Sequence, residues 1–154
     1  MLDYKAKCLV DFNLGESSEI SLLPVLKKYF NDDTIIRTNK YDNFDYTNNN
    51  NILIELKTRT NTKDKYEDTM INIAKVNKCK KLSKTNEIYF MLKFTDGVYY
   101  WKYNTIDKLT QRSGGRLDRS NKEIKDYYYI NVCLLKELIF IQLFIICLII
   151  ILKN

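Results

Sequence analysis

The chain has 154 residues, enough for one domain with a sizeable core. Its formal net charge is +6 and its pI about 9.0, which favours a polyanionic partner, nucleic acid before anionic lipid. There is no histidine, so His-based metal sites, HNH-type chemistry and Ser-His or Cys-His nucleophiles are excluded, and any catalysis must draw on Asp, Glu, Lys, Tyr or Arg.

Lys, Asn, Ile and Tyr are also the residues of A/T-rich codons. A biased genome, such as that of a large DNA virus or a protist, supplies some of the lysines without any partner. Cys8, Cys79, Cys133 and Cys147 show no Cys-x-x-Cys spacing and read as reduced and mostly buried thiols of an intracellular protein. Met1–Lys7 is polar and does not resemble a secretion signal.

In chain order, Tyr4–Phe12 reads as a short strand or lead-in loop. A helix is predicted to start after Gly15, with Ser17 or Ser18 as N-cap and Ile20, Leu23, Leu26 and Phe30 as its apolar stripe. Pro24 is early enough to be tolerated near the first turn. Glu16 and Glu19, three residues apart, share a face if both are helical; acids at a helix start also simply complement the macrodipole. A short strand over Thr34–Thr38 follows.

Tyr41–Arg59, YDNFDYTNNNNILIELKTR, has the pattern of a β-hairpin. Period two puts Phe44 and Tyr46 on one face with Asp45 on the other. On the return strand Ile52, Ile54 and Leu56 share one face, and Leu53, Glu55, Lys57 and Arg59 the opposite one. The run Asn48–Asn51 makes the turn, because Asn tolerates left-handed backbone angles. With Asn49–Asn51 as the loop, Asn48 pairs with Ile52 and Asp45 falls across from Glu55, their Cβ atoms about 4.5–5.5 Å apart. Two facing carboxylates repel unless a cation joins them, and a hard divalent ion does so with Lys57 beside it. Asp42 is the alternative acid if the register slips.

After a polar loop at Thr60–Lys65, a second helix is predicted over Tyr66–Leu82, with Met70, Ile73, Ala74 and Val76 apolar and Lys75, Lys78, Lys80 and Lys81 polar. Ile88–Phe94 and Val98–Tyr103 read as strands joined at Asp96-Gly97. Trp101 is expected in the core. Gln111–Arg119, QRSGGRLDR, brings Arg112, Arg116 and Arg119 into one glycine-containing loop, whose guanidiniums match phosphate oxygens or pair with Asp118 and Glu123. Tyr127–Leu135 reads as a last strand. Leu138–Leu152 is almost wholly apolar but spans only about 22 Å as a helix, short of a hydrocarbon core of about 30 Å. The tail reads as a short membrane anchor, a buried helix, or an extension without function.

Asp45 followed by Glu55-Leu56-Lys57 resembles the PD-(D/E)xK core of restriction-endonuclease-like nucleases over roughly residues 8–132. Phe44 stands where the family pattern has proline. Glu-x-Lys recurs at Glu123-Ile124-Lys125, but no Asp-bearing hairpin precedes it. The resemblance implies an α/β fold with a mixed central sheet flanked by helices over residues 1–135; the apolar tail, 136–154, stands apart from it. It implies hydrolysis of DNA phosphodiesters with Mg²⁺ or Mn²⁺ held by Asp45, Glu55 and the Leu56 main-chain carbonyl. Lys57 would act on the attacking water or the phosphate charge, and Glu19, in preference to Glu16, would be the first-helix acid. Lys75, Arg112, Arg116 and Arg119 are the expected DNA contacts. A fold that binds nucleic acid without cutting it, and a membrane-anchored interaction protein, are the competing readings.

Overall fold

The computed structural model describes residues 4–48, 50–115 and 124–138. In chain order the elements are α1 (Tyr4–Phe30), β1 (Ile36–Arg37), β2 (Tyr46–Thr47), β3 (Ile52–Thr58), β4 (Asp68–Asn72), α2 (Ile73–Leu82), β5 (Glu87–Lys93), β6 (Val98–Lys102), β7 (Thr110–Gly114), β8 (Lys125–Asn131) and β9 (Lys136–Glu137). They form the expected mixed α/β architecture. A six-stranded sheet runs β1-β2-β3-β5-β6-β9, in which β3 and β5 are parallel and the other neighbours antiparallel. A second, three-stranded antiparallel sheet, β4-β8-β7, was not anticipated.

Alternation along β3 and β5 divides the core into two layers. Ile54 and Leu56 of β3 and Tyr89 and Met91 of β5 pack under Leu22 and Leu26 of α1, with Ile35, Tyr46 and Leu138. Ile88, Phe90 and Leu92 of β5 point the other way, onto Val76 and Cys79 of α2 and Ile71 and Ile130 of the small sheet. Trp101 closes that layer, 5.4 Å from the Phe90 ring, its indole N–H donating to Asp107 Oδ2 at 2.6 Å. Each fully buried side chain of this size contributes about 1.5–3 kcal/mol.

Three predicted elements are corrected. Helix α1 begins at Tyr4 and runs through Gly15, so Tyr4–Phe12 is neither strand nor loop and Ser17 and Ser18 are not caps. Its buried positions are Ser18, Leu22 and Leu26, four residues apart, whereas Ile20 is 57% exposed. Pro24 lies inside the helix and denies the Ile20 carbonyl its partner, a tolerable loss on the solvent face. The helix ends in a Schellman motif: Asn31 takes the left-handed conformation (φ 50°), Asn31 N–H donates to Lys28 O and Asp32 N–H to Lys27 O.

The segment predicted as one helix over Tyr66–Leu82 is β4 followed by α2. Asn72 marks the switch, its side chain accepting from Ala74 N–H at 2.8 Å as an N-cap. The arginine loop is in part strand β7, antiparallel to β8. Gly114 is needed there: a Cβ would sit 1.9 Å from the Tyr129 hydroxyl.

The sheet also runs past the expected end at residue 135, since Lys136 and Glu137 pair with β6 and Leu138 is buried. Almost all of the apolar tail, 139–154, lies outside the described residues. Among the described residues no helix is long and apolar enough to cross a membrane. Of the three described cysteines only Cys79 is buried; its thiol is pushed up to about 12 by burial and then by the Glu55 charge.

Candidate active site

The hairpin register is set locally by the asparagines. Asn48 Oδ1 accepts from Ile52 N–H at 2.7 Å, and its amide donates to Asp32 Oδ2 at 2.8 Å, fixing the turn to the end of α1. Tyr46 faces Ile54 and Thr47 faces Leu53, so one step further back Asp45 stands across from Glu55, as the spacing predicts. Asp45 N–H donates to Ile54 O at 2.9 Å and Asp45 O accepts from Thr38 N–H at 3.0 Å. The backbone bends here instead of continuing as a strand. Phe44 therefore packs in the α2 layer and Tyr46 in the α1 layer, not on one face as period two suggests.

Glu55 is 2% exposed and two lysines converge on it. Lys57 Nζ pairs with Oε1. Lys75, from the first turn of α2, brings its Nζ to 2.6 Å from Oε2, but outside hydrogen-bonding geometry, leaving Oε2 a buried acceptor without a donor. Lys75 also donates to the Asn43 carbonyl and lies 5.3 Å from the Phe44 ring centroid. Phe44 thus supports the cation above the carboxylate from the position where the family pattern has proline.

Asp45 Oδ2 accepts the Leu56 N–H at 2.6 Å. Burial pushes the Asp45 carboxyl up to about 6, and the Glu55 charge adds to the shift; the Leu56 N–H and Lys57 oppose it, and Glu19 adds a little more. Glu19 is near enough for that, but its carboxylate is held by Arg37 Nη2 at 2.9 Å. Its backbone carbonyl accepts the Tyr46 hydroxyl at 2.8 Å, tying α1 to the hairpin.

The structure therefore brings Asp45, Glu55, Lys57 and Lys75 together, with Glu19 at the edge. It does not bring the others in. Asp42 is an exposed turn residue accepting from Asn39 N–H. Glu16 is exposed and lines a shallow groove with Asn13 and Ile20. Arg112 is half exposed on β7, paired with Asp68, its guanidinium 3.9 Å from the Tyr129 ring centroid. Arg116 and Arg119 lie outside the described residues.

A cleft of about 810 Å³ opens beside the carboxylates, between the end of β3 and the small sheet. Lys57 lines it together with Arg59, Lys63, Asp68, Tyr127 and Tyr129. Asp45 and Glu55 do not, so Lys57 is the junction between pair and cleft. Arg59, on the Glu55 face by period two, is the lining residue to which the sequence alone assigns no role.

Among the described residues no three Asp, Glu or Cys side chains are grouped to hold a metal ion. The donor set nonetheless suits a hard divalent cation that keeps several waters and needs only one or two carboxylates. The Glu55 charge disfavours ionisation of Asp45, and Glu55 Oε2 is a buried oxygen lacking a donor. Peptide groups two apart on a strand face the same side, so the Leu56 carbonyl lies on the Asp45 side of β3 with its N–H.

A half-buried Asp across from the buried Glu of a Glu-x-Lys, on a mixed sheet with helices, is the arrangement expected of a PD-(D/E)xK nuclease. Residues 17–138 match the family described as "Phage putative PDDEXK endonuclease", and the chain belongs to that family. Its activity is that of an endonuclease acting on DNA. Among solved structures, the Holliday junction resolvase Hjc of the archaeal hyperthermophile Archaeoglobus fulgidus is similar at 18% identity. That match covers 77% of this chain and 87% of that one, with a TM-score of 0.46. No curated protein matches the chain.

Proposed function

We propose that the protein hydrolyses DNA phosphodiester bonds in a divalent-metal-dependent reaction, with Mg²⁺ or Mn²⁺ bound by Asp45, Glu55 and the Leu56 carbonyl. The observation that carries this reading is the juxtaposition of the buried Glu55 carboxylate, paired with Lys57, and the half-buried Asp45 carboxylate, whose ionisation the Glu55 charge disfavours. A divalent ion, when bound, supplies positive charge to the scissile phosphate and the leaving oxygen. Lys57, an ammonium at the mouth of the cleft, orients water and offsets negative charge growing on the phosphate. Lys75 holds the Glu55 carboxylate in place from α2 and offers a second cation to the DNA backbone. Glu19, held by Arg37, keeps a further negative charge near Asp45 from the α1 side. Arg112 on β7, with Arg116 and Arg119 close to it in the sequence, would supply sequence-independent phosphate contacts.

The test is a cleavage assay on linear, branched and single-stranded DNA, with divalent ion and with chelator, using the parent, Asp45→Asn, Glu55→Gln and Lys57→Ala. Cleavage by the parent only with the ion, and none by the variants, is the expected result. Full activity in any two of the three purified variants would remove the site from Asp45, Glu55 and Lys57.

A further inference from the structure

Arg59 lies two residues past Lys57 on the β3 line, and its amide extends the parallel pairing by donating to Lys93 O at 2.7 Å. The side chain is largely buried against β4. Nε donates to Thr69 Oγ1 at 3.2 Å and Nη2 to the Met70 carbonyl at 2.7 Å. Both partners are neutral. Arg37, Arg59 and Arg112 are the arginines among the described residues. Arg37 pairs with Glu19 and Arg112 with Asp68, while Arg59 has no carboxylate at ion-pair distance among the described residues. Asp11 and Asp68 line the same cleft, and Asp68, next in sequence to Thr69, is held by Arg112.

A guanidinium does not lose its proton in a protein, so this largely buried charge is held without an ion-pair partner among the described residues. Burial accordingly pulls its acidity in the unfavourable direction, and the group that most opposes this is the Tyr127 hydroxyl, not a carboxylate. A strut between β3 and β4 has no use for a charge. An anion-binding group does.

The bond pattern says which anion. Thr69 and Met70 occupy the Nε–Nη2 edge of the guanidinium. Of its five N–H groups three remain, including the end-on pair from Nη1 and Nη2, which matches two oxygens of one phosphate. Arg59 lines the same cleft as Lys57. We infer that Arg59 is a phosphate clamp. Its end-on fork grips an internucleotide phosphate next to the one cut beside Lys57, while its side-on edge is locked by β4 so that the fork is already aimed. The inference rests on the nuclease reading of the site and adds a substrate contact to it.

The experiment measures DNA affinity over a range of salt concentrations in chelator, in full-length Asp45→Asn protein, which keeps the cleft but should not cut. Replacing Arg59 by Met in that background should weaken binding about ten- to a hundredfold. It should also reduce the slope of log affinity against log salt by about 0.9, one phosphate fewer. Arg59→Lys, which keeps the charge and loses the fork, should restore the slope but leave affinity about tenfold down. The melting temperature of Arg59→Met should equal or exceed that of its background, because an uncompensated buried charge is gone. An unchanged slope, with a lower melting temperature, would make Arg59 a strut and overturn the clamp. If Arg59→Met does not fold, Arg59→Lys decides: unchanged affinity overturns the clamp. The parent chain is assayed alongside with Mg²⁺. No cleavage of any DNA by it removes the nuclease reading, whereas an active parent with an unchanged Arg59 slope removes the clamp alone.

Discussion

Replacing Asp45 by Asn should stabilise the protein without metal, and only above a definite pH. Folded Asp45 keeps its proton to about 6, against 3.8 for a free aspartate. The folded state therefore binds more protons than the unfolded chain between those values, and stability falls as pH rises through that window. At about 1.4 kcal/mol per pH unit, ionised Asp45 costs on the order of 3 kcal/mol by pH 7.5. Asn carries no charge and keeps an oxygen for the Leu56 N–H. In chelator at pH 7.5 the variant should be more stable by roughly 2–3 kcal/mol, or roughly 4–12 °C for a domain of this size. At pH 4 the two proteins should melt together. Added Mg²⁺ should narrow or reverse the order at pH 7.5, because only the parent gains binding energy, about 2.7 kcal/mol at a hundred times the dissociation constant. Thermal melts at two pH values, with chelator and with Mg²⁺, test this. A variant less stable than the parent in all four conditions would falsify the argument and make Asp45 a structural acceptor.

Mn²⁺ affinity measured by calorimetry should fall about tenfold per pH unit below about pH 6, since a protonated Asp45 must give up its proton to bind; a flat profile from pH 5 to 7 would show that Asp45 is not a ligand. Glu55→Gln should abolish cleavage and also cost roughly 1–3 kcal/mol in a denaturant titration, less than a fully buried pair because Lys57 and Lys75 are partly exposed. A chain ending at Leu138 should melt like the parent, whereas one ending at Leu135 should lose about 2 kcal/mol with the β9 pairing and the buried Leu138 side chain. Equal melting of the two truncations would mean β9 contributes nothing. Arg112→Ala with Arg116→Ala should weaken DNA binding alike for all sequences and flatten its salt dependence; an unchanged slope assigns both to ordinary surface.

The carboxylate pair was legible because its determinants are local. An asparagine turn and a two-residue period fix Asp45 against Glu55 without knowledge of the rest of the chain. What was not legible depended on distant partners. Residues 68–72 read as helix because β8, which makes them a strand, arrives nearly sixty residues later. The first half of α1 carries no buried stripe to announce it: Leu9, Val10, Phe12 and Leu14 are all exposed. Phe44 and Tyr46 part company because the Thr38 contacts bend the chain between them. Arg59 looked like one more cation on a charged strand, and only the Thr69 and Met70 contacts, supplied by β4, separate it from a solvated lysine.

The parallel pairing of β3 with β5 has a consequence for the order in which the protein comes off the ribosome. The hairpin holding Asp45 and Glu55 can close early, but alone it is marginal in water and its two acids push it apart. Lys75 follows twenty residues after Glu55, and Phe90, paired in register with Glu55 on β5, later still. On the proposed reading, a nascent chain carries no complete site until residues up to about 93 have emerged and closed the long β3–β5 connection, a slow, entropically costly step. Synthesis would thus withhold the proposed active centre from nearby DNA until β5 has emerged, with no inhibitor required.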